Sequence, residues 1–307
     1  MAKAASVMDI KSLPEAIEWQ ARHAEEGGAP GTARVIRGLL AVLSTDTATG
    51  RRMAGWQGLT LKDAMPLRIN GGLHNLVQTG ADLRLGAVYR GELTDQNAVD
   101  ALVRELVERF DERLLPWLDG PPQTNEAGRS ASVMAGLLWL AQRVSPRFEM
   151  LELGASAGIN TMMERYFYDL GGVKVGPADS PMRIAPEWRG SPPPQARPEI
   201  GSIRGCDVAP VNLAEPEAAL LLKSYVWPEA AERMARIDAA ALLASQSPPE
   251  VARQDAAAFV QEALARPQQS GVTRVLFHSI VWQYIPDDQQ EAVTAAMAEA
   301  ARSASAE

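Results

Sequence analysis

Residues 151–160, LELGASAGIN, carry the residue types and spacing of two different kinds of site. Gly154, Ser156 and Gly158 form the G-x-S-x-G pattern of serine hydrolases, in which the serine is a nucleophile on a sharp turn between a strand and a helix. Together with Glu152 the same residues form E-L-G-x-S-x-G, a variant of the glycine-rich loop that binds nucleotides. The surrounding sequence must therefore decide whether Ser156 attacks a substrate or belongs to a binding loop.

The hydrolase interpretation needs several strands before the serine, an oxyanion-donating loop and a histidine on a later loop. The segment before Phe148 has the spacing of helices instead. The only histidine after Ser156 is His278, and it lies in the apolar run FHSIVW, which predicts a strand. A serine hydrolase is therefore the less favoured of the two interpretations.

Acidic residues end the predicted strands that follow the loop. Asp207 ends one strand in RGCDVAP, and Asp255 ends another in RQDA, directly before a helix that begins at Ala256. In a doubly wound sheet the carboxyl ends of parallel strands line one crevice. There, one acid can accept the ribose hydroxyls of an adenosyl group and the other its adenine amino group. A structural alternative stays open for both, because Asp207 also fits a turn and Asp255 a helix N-cap.

In this order, E-L-G-x-S-x-G, G-x-D-x-x-P, Q-D-A and V-L-F-H-S resemble the motifs of class I S-adenosylmethionine-dependent methyltransferases. The resemblance covers roughly residues 125–300, with Ser156 in place of the middle glycine. It implies S-adenosylmethionine as cofactor, an unidentified small molecule as methyl acceptor, and an α/β fold with a Rossmann-like, doubly wound, mostly parallel sheet. The cofactor-binding residues that it implies are Arg129, Glu152, Gly154, Ser156, Gly158, Asn160, Asp207, Asp255, Ala256 and Ser279.

A second resemblance rests on the strings TNEAGRS (124–130), SYVWPE (224–229) and FHSIVWQY (277–284), together with the loop. They are similar to those of an uncharacterised bacterial family described as a domain of unknown function. This likeness extends over nearly the whole chain and implies no activity. Members of that family continue with more sheet after the last helix predicted here, which leaves the sixth and seventh strands of a methyltransferase sheet unaccounted for.

In the methyltransferase interpretation, Glu152 accepts a hydrogen bond from the amino group of the methionyl moiety. Arg129, just before the helix that leads into the first strand, pairs with the methionyl carboxylate. For Glu152 the alternative is an acid satisfied by the amides of the loop itself. For Arg129 it is a capping and salt-bridge cluster with Asn125 and Glu126.

His278 and Tyr284 are the predicted catalytic residues. A neutral imidazole near pH 7 can take the proton of a methyl acceptor, and Tyr284 adds polar contacts at the mouth of the crevice, as Ser279 does. A single histidine in an apolar run is, however, also typical of a core residue bonded to a backbone carbonyl. Three further residues are predicted to contact the substrate: His74, Tyr89 and Asn125.

The composition limits the classes of function. A net charge of −8 without a basic stripe argues against nucleic-acid binding. A single cysteine, Cys206, and three histidines without ligand spacing predict neither a disulfide framework nor a metal site. The longest apolar run, residues 131–141, is far shorter than the roughly 20 residues that span a bilayer. We expect a cytoplasmic protein.

The elements that must position these residues fall into two regions. Residues 1–123 are predicted to form an N-terminal all-helical cap domain, in which 55–92 is irregular surface or a ligand-facing loop. Residues 124–307 are predicted to form a Rossmann-like cofactor-binding domain, with a proline-rich insertion without regular structure at 176–199. Within this domain the predicted strands are 148–153, two segments ending at Asp207 and Asp255, and 273–281; the predicted helices are 159–167, 214–243, 256–265 and a last one from Asp287 toward 303.

Two functions follow from this pattern. The first is a methyltransferase that aligns a small molecule with the methyl group of S-adenosylmethionine. The second is a non-catalytic module that binds an adenosyl nucleotide in the same crevice.

Overall fold

The computed structural model describes residues 12–57 and 63–304, and within them the chain forms two compact units. The first, here called the helical unit, contains the residues up to Thr124 together with Leu220–Met234. The second, the α/β unit, contains Asn125–Ala219 and the chain from Ala235 onward. The chain therefore leaves the α/β unit once, adds a short stretch to the helical unit, and returns.

The helical unit has one continuous apolar core. Ile36 and Leu39 on one helix and Ile69 and Leu73 on another are fully buried, because three- and four-residue spacing brings them to one face of each helix. The helices of this unit are α1 (Leu13–Glu26), α2 (Pro30–Val42), α3 (Ala48–Ala54), α4 (Met65–Gln78), α5 (Leu85–Tyr89), α6 (Gln96–Arg109) and α7 (Asp111–Leu114), followed by a 3-10 helix at Leu115–Leu118.

The prediction of an irregular segment over 55–92 is wrong for the residues described there. α4 and α5 occupy much of it, and INGGLHN lies in the middle of α4. Side chains pack directly on its two glycines: a Cβ on Gly71 would lie 2.8 Å from Tyr225 Cδ1, and one on Gly72 would lie 2.8 Å from Leu114 Cδ2. Glycine is needed here for close packing, and sequence alone does not separate that need from a loop signal.

The α/β unit alternates strands with helices. In chain order it contains a 3-10 helix (Ala127–Arg129), α8 (Ser130–Ala141), β1 (Arg147–Leu153), a 3-10 helix (Asn160–Arg165), β2 (Phe167–Leu170), β3 (Val173–Val175), β4 (Arg183–Ile184) and β5 (Glu199–Asp207). It continues with β6 (Val251–Arg253), α11 (Ala256–Ala265), β7 (Val272–His278), a 3-10 helix (Val281–Tyr284) and α12 (Asp287–Ala304). Between β5 and β6, α9 (Pro216–Ser224) and α10 (Ala231–Gln246) contribute residues to both units.

Four strands of this unit form a parallel sheet in the spatial order β6-β5-β1-β7. Their carboxyl ends are in register: Leu153 of β1 is opposite Cys206 of β5 and His278 of β7, and Asp207 is opposite Arg253 of β6. The strand ends predicted near positions 153, 207 and 255 therefore meet at one edge of the sheet. A separate three-stranded sheet has the order β3-β2-β4.

Three local predictions for this unit are corrected. The helix predicted at 159–167 is a short 3-10 helix followed by β2, in which Tyr168 and Leu170 are buried in the alternation of a strand. The proline-rich segment 176–199 is not wholly irregular, since β4 lies within it and pairs with β2. The strand predicted at 273–281 ends at His278, because the backbone at Ile280 turns to φ +71°.

Candidate functional site

The turn after β1 contains three residues in the left-handed region of the backbone. Gly154, Ser156 and Gly158 have φ values of +66°, +52° and +69°. Glycine adopts this conformation without penalty, whereas Ser156 is strained by its Cβ. A Cβ on Gly154 would overlap Val281, and one on Gly158 would lie 2.5 Å from Pro249 Cγ. The two glycines are thus required by the backbone conformation and by packing, because neighbouring side chains occupy the positions that a Cβ on either glycine would take.

Asp207 joins the turn to the end of the neighbouring strand. Its Oδ2 accepts a hydrogen bond from the Ser156 amide at 2.9 Å, and its Oδ1 accepts one from the Ala209 amide at 2.9 Å. The Gln254 amide donates to the Asp207 carbonyl oxygen at 3.1 Å, which brings the end of β6 to the same place. A carboxylate has about four lone-pair sites, so the half-buried Asp207 keeps acceptor capacity for a ligand.

Asn125 holds the turn from the other side. Its side-chain nitrogen donates to the Ala155 carbonyl oxygen at 3.2 Å, and its side-chain oxygen accepts from the Ile159 amide at 3.1 Å. The sequence predicts Asn125 as a substrate contact, and the structure gives both of its polar atoms a bond to the turn. Asn125 therefore fixes the two ends of the G-x-S-x-G segment.

Glu152 lies beneath the turn and is 1% exposed. Thr161 Oγ1 donates to its Oε2 at 2.8 Å. Burial raises the pKa of Glu152 to about 7, the nearby charge of Asp207 adds to this rise, and hydrogen bonds from Thr161 and Asn160 oppose it. The Glu152 carboxyl therefore titrates near neutral pH inside the fold.

Two polar atoms of the turn have no hydrogen-bond partner in the described part of the chain: Ser156 Oγ and Asn160 Oδ1. Asn160 is 2% exposed. Native proteins leave few buried polar atoms unpaired, so each one needs a physical explanation, such as backbone strain, a catalytic role, or a bound water or ion. A triad serine would be paired with a base, and no imidazole among the described residues hydrogen-bonds Ser156.

Arg129 and Ser279 come together from the segments before α8 and after β7. Arg129 Nη1 donates to Ser279 Oγ at 3.3 Å. Nearby in sequence, Glu126 Oε1 accepts from the Gly128 amide at 2.9 Å and from Arg236 Nε at 2.7 Å. Glu126 therefore forms the capping bond and salt bridge that the structural alternative predicts. The guanidinium of Arg129 contacts Ser279, which follows β7.

His278 and Tyr284 flank the end of β7. His278 is exposed and stacks on Trp282, with ring centroids 5.3 Å apart and an angle of 21° between the planes. Partial burial lowers the pKa of His278, which favours the neutral imidazole. Tyr284 is 48% exposed in the following 3-10 helix. Between them, Ile280 adopts φ +71°, a conformation that a β-branched residue rarely takes.

Asp255 and Ala256 begin α11. The side chain of Asp255 accepts a hydrogen bond from the Ala258 amide at 2.9 Å, so Asp255 is the N-cap of that helix. Asp255 therefore has the helix-capping role that the sequence indicates as its structural alternative. Only one oxygen of the carboxylate is used in this bond.

His74 and Tyr89, the other predicted substrate contacts, belong to the helical unit and are both buried. His74 Nδ1 bonds the Ser224 carbonyl oxygen at 3.2 Å, and its Nε2 lies 3.1 Å from Gln78 Nε2. Burial lowers the pKa of His74 to about 4. Both ring nitrogens are engaged within the unit, so the His74 ring is neutral and has a fixed orientation.

Some residues that shape the turn were not singled out from the sequence. Gly205 lies inside β5, and a Cβ there would lie 2.5 Å from Ala155 Cβ. An isolated glycine in a strand signals close approach of another segment, so this one was detectable. Thr161 and Ile280 carry no such signal, because neither a buried acid's partner nor a strained β-branched residue can be read from residue type.

Two kinds of site are not found among the residues that the structure describes. No group of three or more His, Cys, Asp or Glu side chains there could hold a metal ion. No helix in residues 12–57 and 63–304 is long and apolar enough to cross a membrane.

Comparison with known proteins gives one match. No curated protein and no solved structure matches the chain. A family model described as "Uncharacterized protein conserved in bacteria (DUF2332)" matches residues 14–307, nearly the whole sequence. The chain therefore belongs to this bacterial family.

Proposed function

We propose that this protein is an S-adenosylmethionine-dependent methyltransferase that acts on a small molecule and binds its cofactor over the turn after β1. The observation that carries the proposal is the Asp207 carboxylate. It lies at the end of the strand next to β1, bonds the Ser156 amide of the turn at 2.9 Å, and is only half-buried. An acid in this position can accept the ribose hydroxyls of a ligand held at the turn.

The order of the parallel strands supports the same place. Numbered by their order along the chain, the four parallel strands lie side by side as third (β6), second (β5), first (β1) and fourth (β7). The strands that follow β1 along the chain are first added on one side of it, and the last strand, β7, is added on its other side, so the strand order reverses between β1 and β7. Ligands of doubly wound sheets bind outside the carboxyl ends at that reversal. Two of the non-glycine residues with positive φ, Ser156 and Ile280, follow those strands, β1 and β7. Backbone strain in folded proteins is concentrated at functional sites.

The polar groups around the turn fit an adenosyl ligand. Asp207 retains lone pairs, and Ser156 Oγ and Asn160 Oδ1 have no partner among the described residues. Arg129, held beside Ser279, is suited to the methionyl carboxylate through its two-pronged guanidinium group. Asp255 can use its second oxygen for the adenine amino group while it caps α11.

The bound cofactor would supply an activated methyl group, so the residues of this chain have to align the acceptor and remove its proton. His278 is assigned as the base. Its exposed ring lies at the end of β7, and its lowered pKa keeps it neutral near pH 7. In methyl transfer, the new bond from the acceptor's oxygen or nitrogen to the methyl carbon would replace the bond from that carbon to the sulfonium sulfur, and the neutral thioether would leave. The His278 imidazole nitrogen would take the acceptor's proton. Tyr284, six residues further on and half-exposed, can hydrogen-bond the acceptor.

One observation favours the alternative of a non-catalytic module that binds an adenosyl nucleotide. The His278 ring is held by stacking on Trp282. Catalytic histidines are usually oriented by a carboxylate or carbonyl bonded to the second ring nitrogen. Measurements of binding and of turnover separate the two functions.

Calorimetric titration with S-adenosylmethionine and S-adenosylhomocysteine tests the binding site. Asp207→Ala should weaken both ligands by about 1.5–3 kcal/mol, the value of a hydrogen bond to a charged group. Asp179→Ala, which removes an exposed carboxylate of the proline-rich segment, is the matched control and should bind like the wild-type protein. Equal affinities in all three proteins would remove Asp207 from the site.

Formation of S-adenosylhomocysteine in the presence of a bacterial small-molecule extract tests catalysis. His278→Asn should lower turnover much more than it lowers cofactor affinity. Cofactor binding without any turnover would support the binding module. Labelling of Ser156 by a fluorophosphonate probe would instead support a serine hydrolase.

A further inference from the structure

The helical unit contains buried polar atoms that its own fold leaves without partners. In the described part of this unit, the Tyr89 hydroxyl and the side-chain oxygen of Asn70 make no hydrogen bond. Asn70 is 1% exposed and Tyr89 is 9% exposed. Such atoms are rare in native proteins, so each of them needs a physical explanation.

Both atoms belong to the surroundings of His74. Asn70 precedes His74 by one turn of α4, so the two side chains share a helix face. The Tyr89 ring meets the His74 ring edge-on, with centroids 5.7 Å apart. Ser224 and Gln78 already engage both nitrogens of His74. The neutral His74 ring therefore packs beside Tyr89 and has no ring nitrogen left for a ligand.

Glu229 brings a carboxylate to the same region. A Cβ built on Gly31 would lie 2.7 Å from Tyr89 Cα and 2.9 Å from Glu229 Oε1, so these two residues flank one point. Burial and, secondly, the charge of Glu229 raise the pKa of the Tyr89 hydroxyl.

The Glu229 carboxylate is only partly satisfied. It accepts hydrogen bonds from Thr32 N at 2.9 Å and from Thr32 Oγ1 at 2.7 Å, at the start of α2. These bonds use two of its roughly four lone-pair sites. No cationic side chain in the described residues pairs with it. A partly buried carboxylate without a counter-charge favours a cationic partner.

We propose that this polar cluster, which consists of Asn70, His74, Tyr89 and Glu229, binds a small molecule through a protonated primary amine. The free groups of the cluster are hydrogen-bond acceptors, because the Tyr89 hydroxyl can accept as well as donate. An ammonium group has three donors and no acceptor, so its chemistry matches the acceptors that Asn70, Tyr89 and Glu229 offer. An anion would be repelled by the carboxylate, and a neutral alcohol would leave its charge uncompensated.

The test titrates the protein with n-propylammonium chloride and measures binding by calorimetry and by the change in unfolding temperature. The wild-type protein should bind this probe saturably. The neutral control, n-propanol with potassium chloride added to the same ionic strength, should not bind. Glu229→Gln keeps acceptors for Thr32 and removes the charge, so it should weaken the probe about tenfold or more. Glu92→Gln, at an exposed carboxylate of the same unit, is the control and should leave binding unchanged.

Tyr89→Phe provides a second variant that does not disturb the start of α2. It removes a hydroxyl without a partner, so the free protein should unfold at the same or a higher temperature, while the probe binds more weakly. Absence of saturable binding to the wild-type protein would overturn the proposal, as would equal binding by the wild-type, Glu229→Gln and Tyr89→Phe proteins. The titration contains no adenosyl compound, so its result is independent of the function proposed for the α/β unit.

Discussion

Glu152 in the α/β unit and His74 in the helical unit are buried titratable groups whose pKa values are shifted by burial, and they respond to pH in opposite directions. In the α/β unit, burial raises the pKa of Glu152 to about 7. In the helical unit, burial lowers the pKa of His74 to about 4. Both shifts have one cause, the cost of a charge in a poorly hydrated interior. Both groups are therefore neutral at mildly acidic pH, between those two values.

The hydrogen-bond partners of the two groups and of their neighbours give information about a ligand that burial alone does not give. The His74 ring has a partner for each nitrogen within the helical unit. Glu152 is bonded to Thr161, and the turn above it contains Ser156 Oγ and Asn160 Oδ1, which have no partner among the described residues. The Asn70 side-chain oxygen and the Tyr89 hydroxyl in the surroundings of His74 are unpaired in the same part of the chain. A polar group whose bonding is completed inside the fold is explained by structure. Unpaired atoms next to it are the better indication of a ligand.

The largest expected effect is that of Glu152→Gln. The folded-state pKa of Glu152 lies above its usual value of 4.5, so the folded protein binds the proton more tightly than the unfolded chain. Stability from this group is present below about pH 4.5 and is lost as the pH rises toward 7. Glu152→Gln should therefore gain about 2–3 kcal/mol relative to the wild-type protein between pH 5 and pH 8. Urea unfolding at both pH values measures it.

Glu217→Gln, at an exposed carboxylate on α9, is the control for this comparison and should leave the pH dependence of unfolding unchanged. If the difference between Glu152→Gln and wild type did not grow with pH, the Glu152 carboxyl would not be neutral in the folded protein.

His74→Gln tests the opposite slope. The folded-state pKa of His74 lies below its usual value of 6.5, so the unfolded chain binds the proton more tightly. Stability from His74 is present above pH 6.5 and is lost as the pH falls toward 4. The wild-type protein should lose about 2–3 kcal/mol from this group over that range, and His74→Gln should not. His23→Gln, at an exposed histidine of α1, should keep the acid loss; the same loss in both variants would contradict the assignment.

The sequence predicts elements with short, single-period patterns better than elements that depend on packing between distant segments. The strand at 148–153, the acids at the strand ends and the helix at 256–265 all follow from short patterns with one period, and the structure confirms them. INGGLHN has the glycine pair that is typical of a loop, but its glycines are needed because the side chains of Tyr225 and Leu114 pack directly on them. Both of these residues are distant from INGGLHN in sequence. Close packing between segments that are distant in sequence belongs to the tertiary structure and cannot be predicted from a local sequence pattern.

The same limit applies to the candidate site. The glycines of the turn and Asp207 could be predicted because residue type and order carry the signal. Asn125 was predicted near the site with a different role, since its bonds to Ala155 and Ile159 depend on how the chain returns to the turn. The strain at Ile280 could not be predicted, because isoleucine normally avoids that backbone conformation.

Asn125→Leu should produce an intermediate effect. It removes two hydrogen bonds and leaves the Ala155 carbonyl and the Ile159 amide unpaired, which should cost about 2 kcal/mol of unfolding free energy. Asn125→Asp is the matched variant: it still accepts from Ile159, and when protonated it can donate to Ala155. Its stability relative to wild type should improve as the pH is lowered. No pH-dependent recovery would mean that Asn125 does not hold the turn.

Ser156→Gly should have the smallest effect and a positive sign. Glycine relieves the φ of +52° and removes an unpaired hydroxyl, so stability should rise by about 1 kcal/mol. For a unit of this size that corresponds to an unfolding temperature higher by about 2–4 °C. Ser156→Ala keeps the strain and should gain less. A loss of adenosyl binding in Ser156→Gly would indicate that the hydroxyl itself holds the ligand.

The most direct test of the central claim is a crystal structure of the protein with S-adenosylhomocysteine. The proposal predicts density above the turn after β1, with a ribose hydroxyl about 2.5–3.0 Å from an Asp207 carboxylate oxygen and the homocysteine end beside Arg129. Density for the ligand at any other place, with Asp207 bonded only to the Ser156 and Ala209 amides, would contradict it.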